Sequence, residues 1–153
     1  DTLQISVKEA KGLIDSYFAS FPTVKEFLES IKDGAKRDGF VETLSGRKRF
    51  FDFKNIGARD EATYLREAVN TVFQGSAADI IKTAMIKIDD YITKNNINAK
   101  MILQIHDELI FECAEKDSEK AASIFQELME SVVKLEVPLK TSVNIGKNWG
   151  ELK

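Results

Sequence analysis

The most informative segment of the chain is Gln104-Ile105-His106-Asp107-Glu108-Leu109-Ile110-Phe111-Glu112. It places two adjacent carboxylates and the only histidine of the chain between the apolar runs 101–103 and 109–111. Apolar runs of this length, rich in β-branched and aromatic residues, are typical of strands that meet at a tight turn. The sequence therefore predicts a β-hairpin with His106, Asp107 and Glu108 at its tip. Because Mg²⁺ prefers oxygen ligands from one or two carboxylates, the tip is a candidate metal site. An Asp-Glu pair taken alone, however, is more often a solvated turn.

The composition is that of one ordinary globular domain. The chain has 153 residues, of which 43% are hydrophobic and 31% are charged. No apolar run approaches the roughly 20 residues needed to span a bilayer, and no signal peptide is expected. The single cysteine, Cys113, cannot form an internal disulfide, which suits a reducing cytosol. We therefore expect a cytoplasmic protein without a membrane partner.

The charge of the chain does not by itself indicate a nucleic-acid binder, because the formal net charge is −3. The cations are nevertheless unevenly distributed, and one segment holds Lys36, Arg37, Arg47, Lys48, Arg49 and Lys54. This basic segment is compatible with a surface that contacts phosphate. An ordinary mixed surface explains it equally well.

Hydrophobic periodicity predicts the order of the elements. The predicted elements are helices over 7–21, capped by Ser6, and 23–37, a hairpin over 40–51 turning at Ser45-Gly46, a loop over 52–60, a long helix over 61–94, the hairpin around Asp107, a helix over 118–134 and a strand over 139–145. This order indicates an α+β fold, with a small antiparallel sheet packed against several helices. We expect one compact unit over residues 1–153.

A polar stripe is predicted on the long helix. Arg66, Asn70 and Gln74 are spaced by four residues, and each such step advances about 40° beyond a full turn. The stripe offers hydrogen-bond donors that could follow the minor-groove acceptors of a duplex, although a wetted helix face has the same pattern. Gly75 follows, and glycine inside a helix costs roughly 1 kcal/mol relative to alanine. We expect another backbone to approach closely there, most simply the hairpin that carries Asp107.

Several segments together resemble the family A DNA polymerases. Residues 66–79 resemble the family segment that precedes motif C, and residues 104–112 resemble motif C itself. Residues 17–22, 39–47 and 144–149 are similar to other family segments in the same order, so the resemblance covers essentially the whole chain. One departure is Val72, where many relatives have proline, and it predicts a more regular helix at this point.

The resemblance implies templated addition of deoxynucleotides to a primer 3′ end, in DNA replication and repair. Its implied partners are primer-template DNA, deoxynucleoside triphosphates and the remainder of the polymerase chain, and its implied cofactor is a pair of Mg²⁺ ions. Asp107 would be the metal-facing carboxylate, with Glu108 in a weaker supporting role, and His106 would contact the primer terminus. Arg66, Asn70 and Gln74 would hold the duplex. The implied location is the bacterial nucleoid.

Two parts of the family pattern are missing from the sequence. No run resembles motif A, which carries a second aspartate, or the fingers helix that grips the triphosphate. We therefore expect a C-terminal fragment, with the rear of the fingers over about 1–60 and part of the palm over about 61–153. This fragment would be inactive alone.

Two alternatives stay open on the sequence. A palm of the single-subunit RNA polymerase type also carries a His-Asp pair, and a non-catalytic DNA-binding module could derive from a polymerase palm. An Asp-Tyr-Ser motif upstream in the parent gene would favour the enzyme, whereas a genuine start codon at residue 1 would favour the binding module.

Overall fold

A computed structural model describes residues 5–152. The chain divides into two compact units, with the boundary between Gly75 and Ser76. The assignment of about 1–60 and about 61–153 to two parts of a polymerase domain stays a prediction. Both units mix helices with a two-stranded antiparallel sheet, which confirms the predicted α+β class.

The first unit consists of three helices, a short hairpin and a π-helical turn. In order these are α1 (Val7–Ser20), α2 (Pro22–Asp38), β1 (Phe40–Glu42), β2 (Lys48–Phe50), α3 (Ala58–Asn70) and a π-helical turn over Thr71–Gly75. The predicted hairpin over 40–51 is confirmed, with strands shorter than expected.

The ends of α1 and α2 follow from local chemistry that the sequence displays. Ser6 and Glu9 form a reciprocal capping box, in which Ser6 Oγ accepts the Glu9 N–H at 3.2 Å and Glu9 Oε2 accepts the Ser6 N–H at 2.8 Å. Pro22 is the first residue of α2, where its missing N–H is of no consequence. Gly39 ends α2 in the left-handed region with a φ of 74°, a conformation that favours glycine.

The core of the first unit lies between α2, the hairpin and α3. It contains the buried residues Ile31, Ala35, Val41, Phe51 and Ala68. Ala68 has no exposed surface, so the face of α3 that carries it is turned inward. The opposite face of α3 is thereby left to solvent.

The second unit is a hairpin packed on two helices. Its elements are α4 (Ser76–Lys94), β3 (Ala99–Ile105), β4 (Glu108–Cys113), α5 (Ser118–Glu130) and two short 3₁₀ turns over Glu115–Asp117 and Trp149–Glu151. The core contains Ile88, Ala99, Ala121 and Phe125. The rings of Phe111 and Phe125 lie 4.5 Å apart between centroids, and this contact joins β4 to α5.

The long helix predicted over 61–94 is helical throughout but not uniform. It is α-helical over Ala58–Asn70 and Ser76–Lys94, and π-helical over Thr71–Gly75. The expectation that Val72 makes this region more regular is therefore wrong. Thr71 Oγ1 donates a hydrogen bond of 2.8 Å to the Glu67 carbonyl, and such back-bonding tends to distort a helix.

The predicted strand over 139–145 does not form in the described residues 5–152. The Thr141 N–H donates to Glu130 Oε1 at 2.8 Å, and the Thr141 carbonyl accepts from Gln126 Nε2 at 2.6 Å. Both backbone groups of Thr141 are thus paired with side chains of α5, where a sheet ladder would need them. The helix predicted over 118–134 also ends early, at Glu130. Ser131 caps its end by donating from Oγ to the Leu128 carbonyl.

Within residues 5–152, no helix is both long enough and apolar enough to cross a membrane.

Candidate active-site turn and duplex-binding stripe

His106 and Asp107 form the two-residue turn between β3 and β4. Ile105 pairs with Glu108 and Gln104 with Leu109, so the hairpin keeps its register up to the turn. His106 has a φ of 53°, in the left-handed region that non-glycine residues seldom adopt. Tight hairpin turns need positive φ at central positions because only then does their twist match that of the strands. The turn therefore has a fixed shape, and His106 carries its strain.

Gln104 supports this turn, a role that sequence reasoning missed. Its side-chain Nε2 donates a 2.8 Å hydrogen bond to the backbone carbonyl of His106. An amide side chain two residues before a tight turn was the signal that could have pointed to it. Because the bond holds the strained residue, it helps to fix the direction of the next side chain, Asp107.

A β-bulge decides which residues share a face with Glu108. Met101 pairs with Phe111 and Leu103 with Ile110, so Ile102 is an extra residue in β3. A bulge of this kind reverses the alternation of side chains beyond it.

Leu109 and Phe111 lie toward the α5 core, and Glu108 alternates with them along β4. Glu108 therefore lies on the face of the hairpin opposite to that of Leu109 and Phe111.

The three residues of the tip are all solvent-exposed. Carboxylates at such a position suit a hard cation such as Mg²⁺, which takes oxygen ligands. Yet no group of three or more His, Cys, Asp or Glu side chains is placed to hold a metal ion within the described part of the chain. Asp107 and Glu108 fit a magnesium site as part of a ligand set, not as the whole set.

The polar stripe of Arg66, Asn70 and Gln74 lies in the first unit, and all three residues are exposed. Arg66 and Asn70 belong to α3, whereas Gln74 belongs to the π-helical turn. Next to Gln74, Phe73 packs edge-on against Phe27, with ring centroids 6.0 Å apart. The structure thus brings the predicted residues to a solvent-exposed face, beside a half-exposed aromatic pair.

The residues closest to Gly75 belong to the β1–β2 hairpin. The sequence predicted that the hairpin carrying Asp107 would be its neighbour, and that prediction was wrong. A Cβ added to Gly75 would lie 2.9 Å from Thr43 Cγ2 and 3.3 Å from Arg47 Nη2. The three heavy atoms nearest to that Cβ position all belong to side chains. The close approach of another backbone that the sequence predicted is therefore not what the structure shows, and the tight contact is made by side chains.

Most cations of the basic segment are already engaged by the protein. The ion pairs are Lys36–Glu61, Arg37–Asp38 at 2.7 Å, Lys48–Glu42 at 3.2 Å and Arg49–Glu67 at 2.6 Å. The hydrogen bond to Glu61 raises the pKa of Lys36, and the Arg37 guanidinium lowers the pKa of Asp38. A phosphate would have to compete with these carboxylates, although exposed pairs of this kind are weak. Binding of phosphate by the basic segment stays a prediction.

Comparison with known proteins identifies the family of the chain. The family model described as DNA polymerase family A matches residues 1–151. The chain belongs to DNA polymerase family A. The recognition made from the motifs is therefore confirmed.

Relatives in this family are similar along the whole chain. It is 43% identical over 154 aligned residues to DNA polymerase I of Helicobacter pylori (strain ATCC 700392 / 26695), an alignment that covers 100% of the chain and 17% of that protein. It is 42% identical to DNA polymerase I of Bacillus caldotenax, with 99% of the chain and 17% of that protein covered. The chain thus spans about 17% of the length of these curated relatives.

A solved family A structure has the same fold. It is the POL domain of Pol1 from M. smegmatis in complex with DNA primer-template and dNTP, at a TM-score of 0.93 and 36% identity. The match covers 99% of this chain and 27% of that chain.

Proposed function

We propose that this chain is part of a DNA-templated DNA polymerase, which adds deoxynucleotides to a primer 3′ end in DNA replication and repair. The observation that carries the proposal is the exposed His106-Asp107 turn on a braced hairpin, in a chain that belongs to DNA polymerase family A. The M. smegmatis domain, which has the same fold over this region, is described with primer-template and dNTP bound, and this supports DNA and nucleotide as partners.

The tip residues take different roles because they occupy different positions. Asp107 lies in the turn and pairs with no residue of the opposite strand, so its carboxylate is the one offered to Mg²⁺. Glu108 begins β4 on the other face of the hairpin and supports the site more remotely. When bound, Mg²⁺ would favour ionisation of the attacking 3′-hydroxyl and stabilise the leaving pyrophosphate.

His106 precedes the metal-facing carboxylate and contacts the primer terminus in this proposal. Its exposed imidazole can donate or accept a hydrogen bond at the terminal sugar, which would orient the 3′-hydroxyl. The Gln104 hydrogen bond to its carbonyl keeps the backbone of this residue in place. Orientation of reacting groups is worth several orders of magnitude in rate, so even small shifts of this turn should slow extension.

The polar stripe would hold the duplex. Arg66, Asn70 and Gln74 present one guanidinium and two amides along an exposed face, and minor-groove acceptors occupy similar places on every base pair. Such contacts detect the geometry of a base pair without specifying its sequence. This property suits an enzyme that copies any template.

The polypeptide of residues 1–153 would not catalyse extension by itself. Its described residues offer Asp107 and Glu108 at the tip but no complete ligand set for two metal ions. The remainder of a polymerase chain would supply the other carboxylate and the grip on the triphosphate. We assign residues 1–60 to the rear of the fingers and residues 61–153 to the palm.

Primer extension by the full-length protein that carries this sequence tests the proposal. With primed template and Mg²⁺, we expect incorporation of the deoxynucleotide that matches the template base. The 153-residue polypeptide should give no extension above a buffer control. A preference for ribonucleotides would favour the RNA polymerase alternative, and duplex binding without any extension would favour a non-catalytic module.

A further inference from the structure

The π-helical turn is held from one side by the β1–β2 hairpin. Arg47 Nη2 donates a 3.2 Å hydrogen bond to the Gly75 carbonyl, at the last residue of the turn. Arg49 Nη1 donates to Thr71 Oγ1 at 3.4 Å, at the first residue, and its Nη2 meets Glu67 one helical turn earlier. Two arginines of a single hairpin thus contact both ends of the irregular segment.

Gly75 permits this contact because it has no side chain. A Cβ there would lie 2.9 Å from Thr43 Cγ2, closer than real Cβ atoms approach other carbons. The turn between β1 and β2 is itself fixed, since the Arg47 N–H donates to Thr43 Oγ1 at 3.2 Å. The hairpin and the π-helical turn are therefore fitted to one another at Gly75.

The π-helical turn changes the direction of the polar stripe. In an α-helix, each step of four residues overshoots a full turn by about 40°, so Gln74 would lie about 80° around from Arg66. A π-helix bonds residue i to residue i+5 and has more than four residues per turn, so a step of four falls short of a full turn. The step from Arg66 to Asn70 lies in α3 and rotates the side chain past a full turn. The step from Asn70 to Gln74 passes through the π-helical turn and therefore rotates the side chain back in the opposite direction.

We propose that the β1–β2 hairpin aligns the duplex-binding stripe by holding this π-helical turn, with Arg47 as a positioning residue. An α-helix is the default for the segment, since π-helical turns are rare and survive where surrounding contacts favour them. Arg47 acts on the duplex through the Gly75 carbonyl and thus through the placement of Gln74. The inference rests on the proposed function, because it assumes that the stripe contacts DNA.

The test is a duplex-binding measurement on the full-length protein that carries this sequence. Arg47→Ala should raise the Kd for primed duplex roughly three- to tenfold, which is the range expected for one lost hydrogen bond. The slope of log Kd against log salt should stay unchanged. A direct phosphate contact would behave differently, because its loss lowers that slope by about 0.9.

A double-mutant cycle separates positioning from general weakening. In the Gln74→Ala background, Arg47→Ala should have less than about a twofold effect on Kd, since coupled residues are not additive. Lys48→Ala is the matched control, because the contacts of Lys48 within the described residues are with Glu42 and the Phe40 ring. Its effect should add to that of Gln74→Ala.

Additive effects of Arg47→Ala and Gln74→Ala, or a lower salt slope for Arg47→Ala, would overturn the positioning role and leave the proposed function intact. An unchanged Kd for Gln74→Ala would refute both the duplex-binding role of the stripe and the positioning role of Arg47. The polymerase chemistry is tested separately by primer extension.

A steric pair gives a second, independent test. Gly75→Ala forces Thr43 and the π-helical turn apart and should weaken duplex binding. Thr43→Ser in the same chain removes the Cγ2 that clashes and keeps the hydroxyl that accepts from Arg47. We expect it to restore at least half of the lost binding free energy. A double variant that binds as weakly as Gly75→Ala alone would contradict the fitted contact.

Discussion

The left-handed backbone at His106 predicts an unusual order of stability among its variants. We compare His106→Gly with His106→Ala, since both remove the imidazole and differ only in the methyl group. Alanine must adopt the observed φ of 53°, which costs about 1–2 kcal/mol for an L-residue. Glycine adopts it freely but loses about 0.5–1 kcal/mol more backbone entropy on folding.

The difference between these two ranges favours His106→Gly by about 0.7 kcal/mol. Hydrogen exchange of the β3–β4 amides in the full-length protein measures the local opening free energy of the hairpin. The glycine variant should be protected roughly threefold more than the alanine variant. Because both lack the imidazole, faster primer extension by the glycine variant would report the shape of the turn alone.

Lys82 is the control position, because it is exposed on α4 in ordinary helical conformation. There the order should reverse, with Lys82→Ala more stable than Lys82→Gly by about 1 kcal/mol. If His106→Ala were protected as well as His106→Gly, the strained turn would be refuted, and with it the idea that the backbone aims Asp107.

Three further predictions concern the scaffold. The hydrogen bond from the Thr141 N–H lowers the pKa of Glu130 below its ordinary value. Protection of the Thr141 amide against hydrogen exchange should therefore be full above about pH 4.5 and lost as the pH falls through the lowered pKa. In Glu130→Gln the protection of this amide should lack that pH dependence. Phe125→Ala should destabilise the second unit by about 3–5 kcal/mol in urea unfolding, because the side chain is buried against β4. Gly39→Ala should lower the stability of α2 by about 1–2 kcal/mol, because alanine must adopt the φ of 74°. Gly12→Ala has open space around it and should stabilise α1 by about 0.5–1 kcal/mol. Hydrogen exchange of the α1 and α2 amides measures both changes in stability, and two changes of the same sign would contradict the prediction.

The features that sequence predicted well depend on neighbours a few residues away. Ser6 and Glu9 form a capping box from residues three apart, and Pro22 and Gly39 begin and end α2 through their own backbone preferences. The hairpin around Asp107 follows from two apolar runs and a short polar link. In each case the element is stabilised by residues close together in the sequence, so the sequence pattern alone predicts it.

The features that sequence missed depend on contacts between distant segments. The π-helical turn is held by Arg47 and Arg49 from a hairpin about 25 residues away, and spacing alone predicts a regular helix there. Periodicity along β3 does not show the bulge, in which Ile102 is an extra residue between Met101, which packs against the core of the second unit, and Leu103. The strand predicted over 139–145 is replaced by backbone pairing with Glu130 and Gln126.

The candidate site divides in the same way. The tip residues and the stripe could be proposed as site residues because their residue types and spacing match family motifs. The supporting residues were missed because Gln104 acts through a carbonyl and Arg47 through the Gly75 backbone. Hydrogen bonds from side chains to backbone leave little trace in a single sequence, since the acceptor can belong to any residue type.

Primer extension by the full-length protein with Asp107→Ala tests directly whether Asp107 is the metal-facing carboxylate of a DNA polymerase. Asp89→Ala is the matched control, because Asp89 is an exposed carboxylate of α4. We predict that Asp107→Ala lowers extension by several orders of magnitude while duplex binding and the control stay normal. Near-normal extension by Asp107→Ala would contradict the account and reduce this hairpin tip to a structural turn.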